Sequence, residues 1–380
     1  MKHLNIPILR LSYTQEEMDF IKEGVVEVLK SGYLTMGEKV AQFEKMFADF
    51  TGTRYAIGTN SGTSSLEIIL RAIGVEGNTV IVPSNTFIAS AITVVHAGGR
   101  VIFVDCEKEN LQLDPQDLRG KLHHDTKAVM LTHTGGMITP ALDEIKSICD
   151  EKGIFLIEDA AHAHGATIDG RKAGTLGTAG SFSFYPTKVL TTGEGGIITT
   201  DDDNIYKKAV SLRDHGRDEA NANIHIEVGY NWRFSELHAV LGLQQMKKAE
   251  AILAERRKIA QMYDQKLEGI KGLKRLKTPP NIRSSYYKYI VFLEEQLDKD
   301  KVKRDLKEKH SVSLTGEVYA HPCHSQPVFK KYPSVVANDP SDTFPQTEYI
   351  AQRHICLPLY PGLTEEEIDY IVDSLEKVLR

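Results

Sequence analysis

The sequence predicts an α/β protein in which a large domain, built on a mostly parallel mixed sheet flanked by helices, precedes a smaller C-terminal α+β domain. Between residues 54 and 200, short runs rich in β-branched and aromatic residues alternate with segments of the length of one crossover helix, which is the pattern of a parallel sheet. After residue 236, apolar residues recur every three or four positions over a long helical stretch. We therefore predict a large domain over 1–248, including an N-terminal arm, and a small domain over 249–380.

The predicted strands of the large domain follow one another between residues 54 and 200. They read YAIGT, TVIVPS, RVIFVD, KAVMLTH, GIFLIEDA, SFSFY and GGIITT. Helical patterns separate the first five of them, at residues 63–73, 87–97, 114–122 and 141–152. The small domain contains the strand-like SSYYKYIVFLEEQ and the helical segments DKDKVKRDLKEKH and TEEEIDYIVDSLEKVL. We assign the charges of the first of these helical segments to a solvated helix face.

Composition excludes several classes of protein. The chain has 380 residues, 41% hydrophobic and 26% charged, and its 46 Lys and Arg against 52 Asp and Glu leave a net charge of −6. These values describe a globular chain without a positive field that would attract nucleic acid. No apolar run reaches the length of a membrane span, and the N-terminal segment has too short an apolar stretch for a signal peptide. We therefore expect a cytoplasmic protein that binds neither nucleic acid nor membranes.

The cysteine and histidine patterns argue against a disulfide framework and a metal site. The four cysteines are Cys106, Cys149, Cys323 and Cys356. They are far apart and form no C-x-x-C pair, which is typical of a reduced protein. His162 and His164 would share one face of an extended segment, but no further ligand stands at a metal-binding spacing. We expect no metal.

The turn after the first predicted strand is a candidate anion site. It reads GTNSGTSS, which matches neither the G-x-G-x-x-G pattern of dinucleotide sites nor the phosphate loop of ATPases. Its polar residues 60–64 begin a predicted helix, where free backbone N–H groups and the helix dipole favour a phosphate. Simple capping of the helix by Ser or Thr is the alternative interpretation.

Two acidic residues and one lysine stand at the ends of predicted strands. Glu158 and Asp159 end a buried strand, at the edge of the sheet where ligands of α/β proteins bind; capping of the following turn is the alternative role. Lys188 follows an aromatic strand and precedes a glycine-rich turn in SFSFYPTKVLTTGEGGIITT. Burial there would lower the pKa of the amine and make it a nucleophile able to form a Schiff base.

Pyridoxal phosphate would use all three of these features. Its phosphate needs N–H donors, its ring nitrogen needs a carboxylate, and its aldehyde needs a lysine amine. The phosphate-competent turn, Asp159 and Lys188 supply one of each. We therefore expect this cofactor, which would alternate with pyridoxamine phosphate during the reaction.

The sequence also resembles the DegT/DnrJ/StrS family of sugar aminotransferases, which are fold type I pyridoxal-phosphate enzymes. The resemblance covers nearly the whole chain. It is carried by SGYLTMGEKVAQFEKMFADFTGTRYAIGTNSGTSSLEI, PSNTFIASA, LIEDAAHAHGA, SFSFYPTKVLTTGEGGIITTDD, LRDHG, GYNWRFSELHAVLGLQQ and LPLYPGLTEEEI.

The resemblance implies a role for each matching residue. Lys188 would bind the cofactor covalently, Asp159 would pair with its ring nitrogen, and Phe87 would stack on its ring. The implied phosphate ligands are Gly62, Thr63, Ser183 and, from the neighbouring subunit of a homodimer, Asn231. At His162 the family more often has Gln beside the 3-hydroxyl of the cofactor, and an imidazole could make a similar hydrogen bond. At 133–137 the sequence HTGGM replaces a more usual aromatic-containing version, so the substrate pocket is expected to be wider or differently lined there.

The expected reaction moves an amino group from L-glutamate, or L-glutamine, to a keto-sugar, with Lys188 as the proton carrier. The family most often uses a nucleotide-linked sugar, but a free or phosphorylated keto-sugar, a keto-octulosonate or a cyclitol ketone would use the same residues. Candidate substrate contacts are Arg233, His215, Tyr319, His321 and His324. Structural roles, as an ion-pair arginine or as hydrogen-bonding histidines, are the alternatives. A sugar dehydratase, which would carry His in place of Lys188, and a non-catalytic regulatory protein are the alternative functions.

Overall fold

The computed structural model describes residues 4–221 and 223–380. The strands are β1 (Tyr55–Thr59), β2 (Thr79–Pro83), β3 (Arg100–Val104), β4 (Thr126–Thr132), β5 (Phe155–Asp159), β6 (Thr167–Ile168), β7 (Arg171–Lys172), β8 (Ala179–Ser183), β9 (Gly196–Thr200), β10 (Leu273–Arg275), β11 (Ile282–Arg283), β12 (Tyr289–Leu293) and β13 (His354–Leu357). The helices are α1 (Gln15–Ser31), α2 (Glu38–Thr51), α3 (Gly62–Ile73), α4 (Ile88–His96), α5 (Pro115–Gly120), α6 (Leu142–Lys152), α7 (Asp203–Arg213), α8 (Glu236–Lys247), α9 (Ala249–Lys266), α10 (Lys299–His310), α11 (Pro327–Lys331), α12 (Pro345–Arg353) and α13 (Glu365–Leu379).

A seven-stranded mixed sheet organises the N-terminal part of the chain. Its strand order is β1-β9-β8-β5-β4-β2-β3. The pairs β3/β2, β2/β4, β4/β5 and β5/β8 are parallel, whereas β9 runs antiparallel between β1 and β8. Helices α3, α4, α5 and α6 each follow one of the first four strands. The predicted fold class, a mostly parallel mixed sheet flanked by helices, is confirmed.

Both faces of this sheet are covered, which explains why its strands read as nearly continuous apolar runs. Successive side chains of a strand point to opposite faces. In β2, accordingly, Val80 and Val82 join one buried cluster, and Ile81 joins the other. The carboxyl ends of the parallel strands remain free to carry polar side chains.

The C-terminal part has a core of its own. Helices α9, α10 and α13 pack with the antiparallel strands β12 and β13 around residues such as Tyr263, Val291 and Leu375. The long predicted helical stretch is divided into α8 and α9 at Lys248, whose backbone angles of φ −112° and ψ 9° leave the helical region. A domain boundary at residue 248 remains a prediction.

Chain crossings tie the two parts together. Ile6 packs in the C-terminal core, where it bridges Val312. In the opposite direction, Cys323, Phe329 and Phe344 join a cluster on the large sheet. The segment that begins near Val318 thereby reaches the carboxyl ends of the parallel strands.

The described residues lack two kinds of structural feature. No helix there is both long and apolar enough to cross a membrane. In the same part of the chain, no group of three or more His, Cys, Asp or Glu side chains is arranged to hold a metal ion.

Candidate active site

A cavity of about 400 Å³ opens at the carboxyl ends of β1, β5 and β8, a volume typical of small-molecule sites. Eight of the residues predicted from the sequence line it. They are Gly62, Thr63, Phe87, Asp159, His162, Ser183, Lys188 and Tyr319. Because the carboxyl ends of parallel strands meet at one edge of a sheet, segments distant in sequence converge here.

Lys188 follows β8 and reaches the cavity through a short turn in which its N–H donates to the Tyr185 carbonyl. Its Nζ lies 5.0 Å from the centre of the Tyr287 ring. Among the described residues, none accepts a hydrogen bond from this Nζ. Burial lowers the pKa of Lys188 from 10.5 to about 8, an effect that Asp159 opposes and Lys288 reinforces. The amine is therefore a competent nucleophile near neutral pH.

This pKa predicts how the apoprotein captures pyridoxal phosphate. Only the neutral amine attacks an aldehyde, so the rate of appearance of the yellow absorption band should rise with pH through about 8 and level off above it. In Asp159→Asn the midpoint of this curve of rate against pH should move to lower pH, because Asp159 raises the pKa of Lys188. Stopped-flow absorbance between pH 6 and about 11 measures both curves. A midpoint near the usual lysine value would contradict the assignment.

Asp159 is held in one orientation at the end of β5. Its Oδ2 accepts a hydrogen bond of 2.6 Å from the Ser90 hydroxyl, and its Oδ1 accepts one of 3.2 Å from the Ala161 N–H. Ser90 lies on α4 and also contacts the Thr86 hydroxyl at 2.7 Å. Both donors orient the carboxyl group, which could hold a cationic nitrogen of a ligand in the cavity.

The start of α3 offers hydrogen-bond donors to an anion. Ser61 caps this helix by accepting from the Ser64 N–H at 3.1 Å. The N–H groups of Gly62 and Thr63, by contrast, have no acceptor within residues 4–221 and 223–380. The Ser183 side chain, at the end of β8, lines the same part of the cavity. Two free N–H groups, a hydroxyl and the helix dipole form an arrangement suited to phosphate.

His162 lies between two tyrosines. Its ring stacks on Tyr287 with centres 4.0 Å apart and planes at 20°, and its Nε2 is 3.3 Å from the Tyr319 hydroxyl. Burial, reinforced by the charges of Lys188 and Lys288, lowers the pKa of His162 well below 6.5. The imidazole is therefore neutral at physiological pH.

A buried histidine–carboxyl contact lies beside the cavity. His133 Nε2 and Glu158 Oε2 are 2.8 Å apart, and both side chains are fully buried. Glu158 also accepts hydrogen bonds from the N–H groups of Gly174, Leu176 and Gly177. His133 lines the main cavity, whereas Gly135, two residues later, lines a separate small cavity beside Lys288. Thr134 lines both cavities, so the segment 133–137 contributes to the walls of each; a wider or differently lined substrate pocket remains a prediction.

A match to a known protein family shows which family the chain belongs to. The model of the DegT/DnrJ/EryC1/StrS aminotransferase family matches residues 15–376. The chain belongs to this family. The family predicted from the sequence is therefore confirmed.

Relatives of this aminotransferase include enzymes of amino-sugar biosynthesis. It is 34% identical to GDP-perosamine synthase from Caulobacter vibrioides, over 94% of this chain and 95% of that protein. It is 29% identical to dTDP-3-amino-3,4,6-trideoxy-alpha-D-glucose transaminase from Micromonospora megalomicea subsp. nigra, over 97% of both chains. The crystal structure of S. venezuelae DesV in complex with a ketimine intermediate matches with a TM-score of 0.89 at 28% identity, over 99% of both chains. The protein is an aminotransferase of fold type I that depends on pyridoxal phosphate (PLP).

Five predicted residues of the aminotransferase lie outside the cavity. They are His215, Asn231, Arg233, His321 and His324. Arg233 forms an ion pair of 2.6 Å with Asp214. The backbone of Asp214 in turn forms an isolated antiparallel β-bridge with Asn231. The His324 ring contacts the Ser84 hydroxyl and stacks on Phe344. Their assigned roles remain predictions, and the role of Asn231 requires a second subunit.

Other residues in or behind the cavity wall were not predicted from the sequence. Ser90, which is buried and donates to Asp159, lies within the PSNTFIASA segment, one helical turn after Phe87, so its position on α4 was a usable signal. Tyr287, in contrast, comes from SSYYKY near the start of β12, where aromatic residues are typical of any buried strand. Tyr185 and Glu194 also line the cavity, next to Lys188 in sequence.

Gly62→Ala tests the start of α3 as a phosphate site. A Cβ at this position would lie 2.8 Å from Ser183 Cβ and 3.3 Å from the Phe182 carbonyl oxygen. The helix start must then shift by a few tenths of an ångström, and we expect pyridoxal phosphate to bind about tenfold more weakly. Fluorescence titration of the apoprotein measures this change. Gly120→Ala, where a Cβ meets nothing within 4 Å, is the matched control, and equal affinities of the two variants would contradict the prediction.

Proposed function

We propose that this aminotransferase moves an amino group from L-glutamate to a nucleotide-linked keto-sugar, with Lys188 as the proton carrier. The observation that supports this proposal best is the convergence of three groups on one cavity. Lys188, Asp159 and the free N–H groups of α3 all line it, and each matches a different part of pyridoxal phosphate.

The residues of the cavity fit this cofactor. Gly62 and Thr63 N–H groups and the Ser183 hydroxyl would hold its phosphate, and Asp159 would hold its ring nitrogen in the cationic form. Phe87, whose side chain is 56% exposed at the cavity, offers a face for stacking. When bound, pyridoxal phosphate supplies an aldehyde that takes up the amino group and a ring that withdraws electrons.

Lys188 would do the proton transfer. Once its amine is released from the cofactor, its lowered pKa lets it remove a proton from the α-carbon of L-glutamate as a general base. In the second half of the reaction, the same Nζ would act in reverse at the carbon that becomes aminated in the sugar. The burial of the amine, which disfavours the charged form, suits it to both directions.

The choice of acceptor is supported by the names of two relatives. One acts in the synthesis of GDP-perosamine and the other is a transaminase for a dTDP-linked amino sugar. In this chain, Phe87 and Tyr185 stand at the cavity with 56% and 48% of their side chains exposed, so apolar surface is available to a sugar ring.

The four cysteines are free and buried, which supports action in the reducing cytoplasm.

The test has two stages. First, absorbance spectra of the protein with pyridoxal phosphate are recorded before and after L-glutamate is added; conversion of the yellow band to a near-ultraviolet band supports the first half-reaction. Second, the converted protein is mixed with GDP-linked and dTDP-linked 4-keto-hexoses and with unlinked keto-sugars, and return of the yellow band identifies the acceptor. If L-glutamate and L-glutamine both leave the band unchanged, the proposal fails and a dehydratase or regulatory role gains support.

We also propose a homodimer in which Asn231 completes the phosphate site of the partner subunit. Asn231 is exposed and lies outside the cavity of its own chain. If the site is shared, Asn231→Asp and Lys188→Ala should each be inactive alone, yet an equal mixture refolded or co-expressed should regain about a quarter of the wild-type activity, because half of the dimers carry one intact site. A mixture without activity would contradict site sharing.

A further inference from the structure

We propose that Tyr319 is a positioning residue that holds His162 as the tautomer with its proton on Nδ1, so that a neutral N–H donor faces the cavity. The proposal rests on one contact: the Tyr319 hydroxyl lies 3.3 Å from His162 Nε2. Both residues line the cavity that Lys188 also lines. Tyr319 would thus act through His162 and not as a substrate contact.

The structure restricts the His162 ring from several sides. Tyr287 stacks on one face at 4.0 Å, and the Tyr319 ring lies 6.1 Å away with its plane at 29°. The His162 carbonyl accepts a hydrogen bond of 2.6 Å from the Ser285 hydroxyl. With the ring plane restrained in this way and Nε2 at hydrogen-bond distance from the Tyr319 hydroxyl, the remaining variable is which nitrogen carries the proton.

The protonation states of the two residues determine this choice. His162 is neutral, because burial and then the charges of Lys188 and Lys288 lower its pKa well below 6.5. Tyr319 keeps its proton, because burial and then the charge of Asp159 raise its pKa well above 10. Its hydroxyl has no other acceptor among the described residues, so donation to Nε2 is the arrangement that uses this donor. The single proton of the neutral imidazole then lies on Nδ1.

Nδ1 is the ring nitrogen of His162 that has no protein partner among the described residues. It makes no hydrogen bond within the described part of the chain, and it is not one of the fully buried unpaired atoms there, so it retains access to the cavity that His162 lines. The backbone of Tyr319 is itself held by the buried Asn85, because the Tyr319 N–H donates to Asn85 Oδ1 at 3.2 Å. Asn85 in turn donates to the Leu111 carbonyl at 3.1 Å. The donor at Nδ1 is therefore fixed before any ligand binds.

The first test uses the apoprotein and does not depend on the reaction. Nitrogen-15 NMR of histidine-labelled protein distinguishes protonated from unprotonated ring nitrogens, and loss of one signal pair in His162→Gln assigns it. We expect Nδ1 to be protonated in the wild type and the proton to redistribute toward Nε2 in Tyr319→Phe. Tyr332→Phe, at a site 50% exposed, should leave the signals unchanged. A wild-type proton on Nε2, or an unchanged spectrum in Tyr319→Phe, overturns the proposal.

The second test rests on the proposed function and measures affinity for pyridoxal phosphate and the rate of the reaction with L-glutamate. Loss of one neutral hydrogen bond predicts a threefold to tenfold decrease, roughly, in Tyr319→Phe. In a His162→Gln background the same substitution should change neither quantity, because an amide has a fixed donor. A loss that persists in that background indicates direct contact with substrate and overturns the proposal. If L-glutamate reacts with neither the wild type nor any variant, the proposed function fails. The NMR result does not depend on that reaction, so the tautomer proposal is tested separately.

Discussion

Lys188→Ala is expected to lower the rate of amino transfer from L-glutamate by about four orders of magnitude. Among the described residues that line the cavity, Lys188 is the only lysine, so no neighbouring amine can replace it as nucleophile and proton carrier. The same substitution removes a buried amine whose charged form is disfavoured, and the thermal unfolding midpoint should therefore not fall. Single-turnover absorbance and circular dichroism measure the two effects.

Lys288→Ala is the matched control for this prediction. Lys288 is also close to the Tyr287 ring, at 5.0 Å, but it lines the separate small cavity. We expect less than about a tenfold effect, because its charge acts on Lys188 only at a distance. A folded Lys188→Ala protein with full turnover would refute the assignment of Lys188. Partial restoration of Lys188→Ala by added small primary amines would support it.

Asp159→Asn should lower the rate of the half-reaction with L-glutamate by about two to three orders of magnitude. The amide has the shape of the carboxylate and can still accept from Ser90, which now donates to Asp159 Oδ2 at 2.6 Å. It lacks the negative charge that would hold the ring nitrogen of the cofactor cationic. Stopped-flow absorbance after addition of L-glutamate measures the rate.

Ser90→Ala separates the charge of Asp159 from its orientation. This variant keeps the carboxylate and its second hydrogen bond from the Ala161 N–H, so we expect less than about a tenfold decrease. Equal losses in Ser90→Ala and Asp159→Asn would indicate that orientation, and not charge, limits the reaction. An Asp159→Asn protein as fast as the wild type would remove Asp159 from the reaction.

Short segments of the chain were sufficient to predict the sheet, the family and the central residues of the cavity. Asp159 is the last residue of β5, Lys188 lies in the turn that follows β8, and these two strands are indeed adjacent and parallel. The end of a parallel strand and the turn just after it lie at the carboxyl edge of the sheet. The local pattern therefore predicted that both side chains face one region, before any contact was known.

The contacts of His162 could not be predicted in this way. Tyr319 lies 157 positions later in the chain, and its place at the cavity depends on the return of the C-terminal segment to the large sheet. Cys323, whose N–H donates to the Ser84 carbonyl at 2.8 Å, is one anchor of that return. No periodicity or motif encodes such a crossing, because it follows from packing between two cores.

The break between α8 and α9 has a similar origin. The apolar pattern continues through Lys248, and a single long helix was expected there. In the structure Lys248 leaves the helical region and forms an ion pair of 2.8 Å with Glu17 of α1. Packing against a distant helix thus overrides the local propensity.

By itself, the sequence determined the α/β fold, the family and the two strand-end residues Asp159 and Lys188, since each depends on the order of residues within one segment or on motifs that span the chain. Tertiary structure decided the pKa of Lys188, the neutral state of His162 and the contacts of both with Tyr287. These properties depend on burial and on charges from other segments, and the free energy of desolvating a charge is a property of the folded cavity.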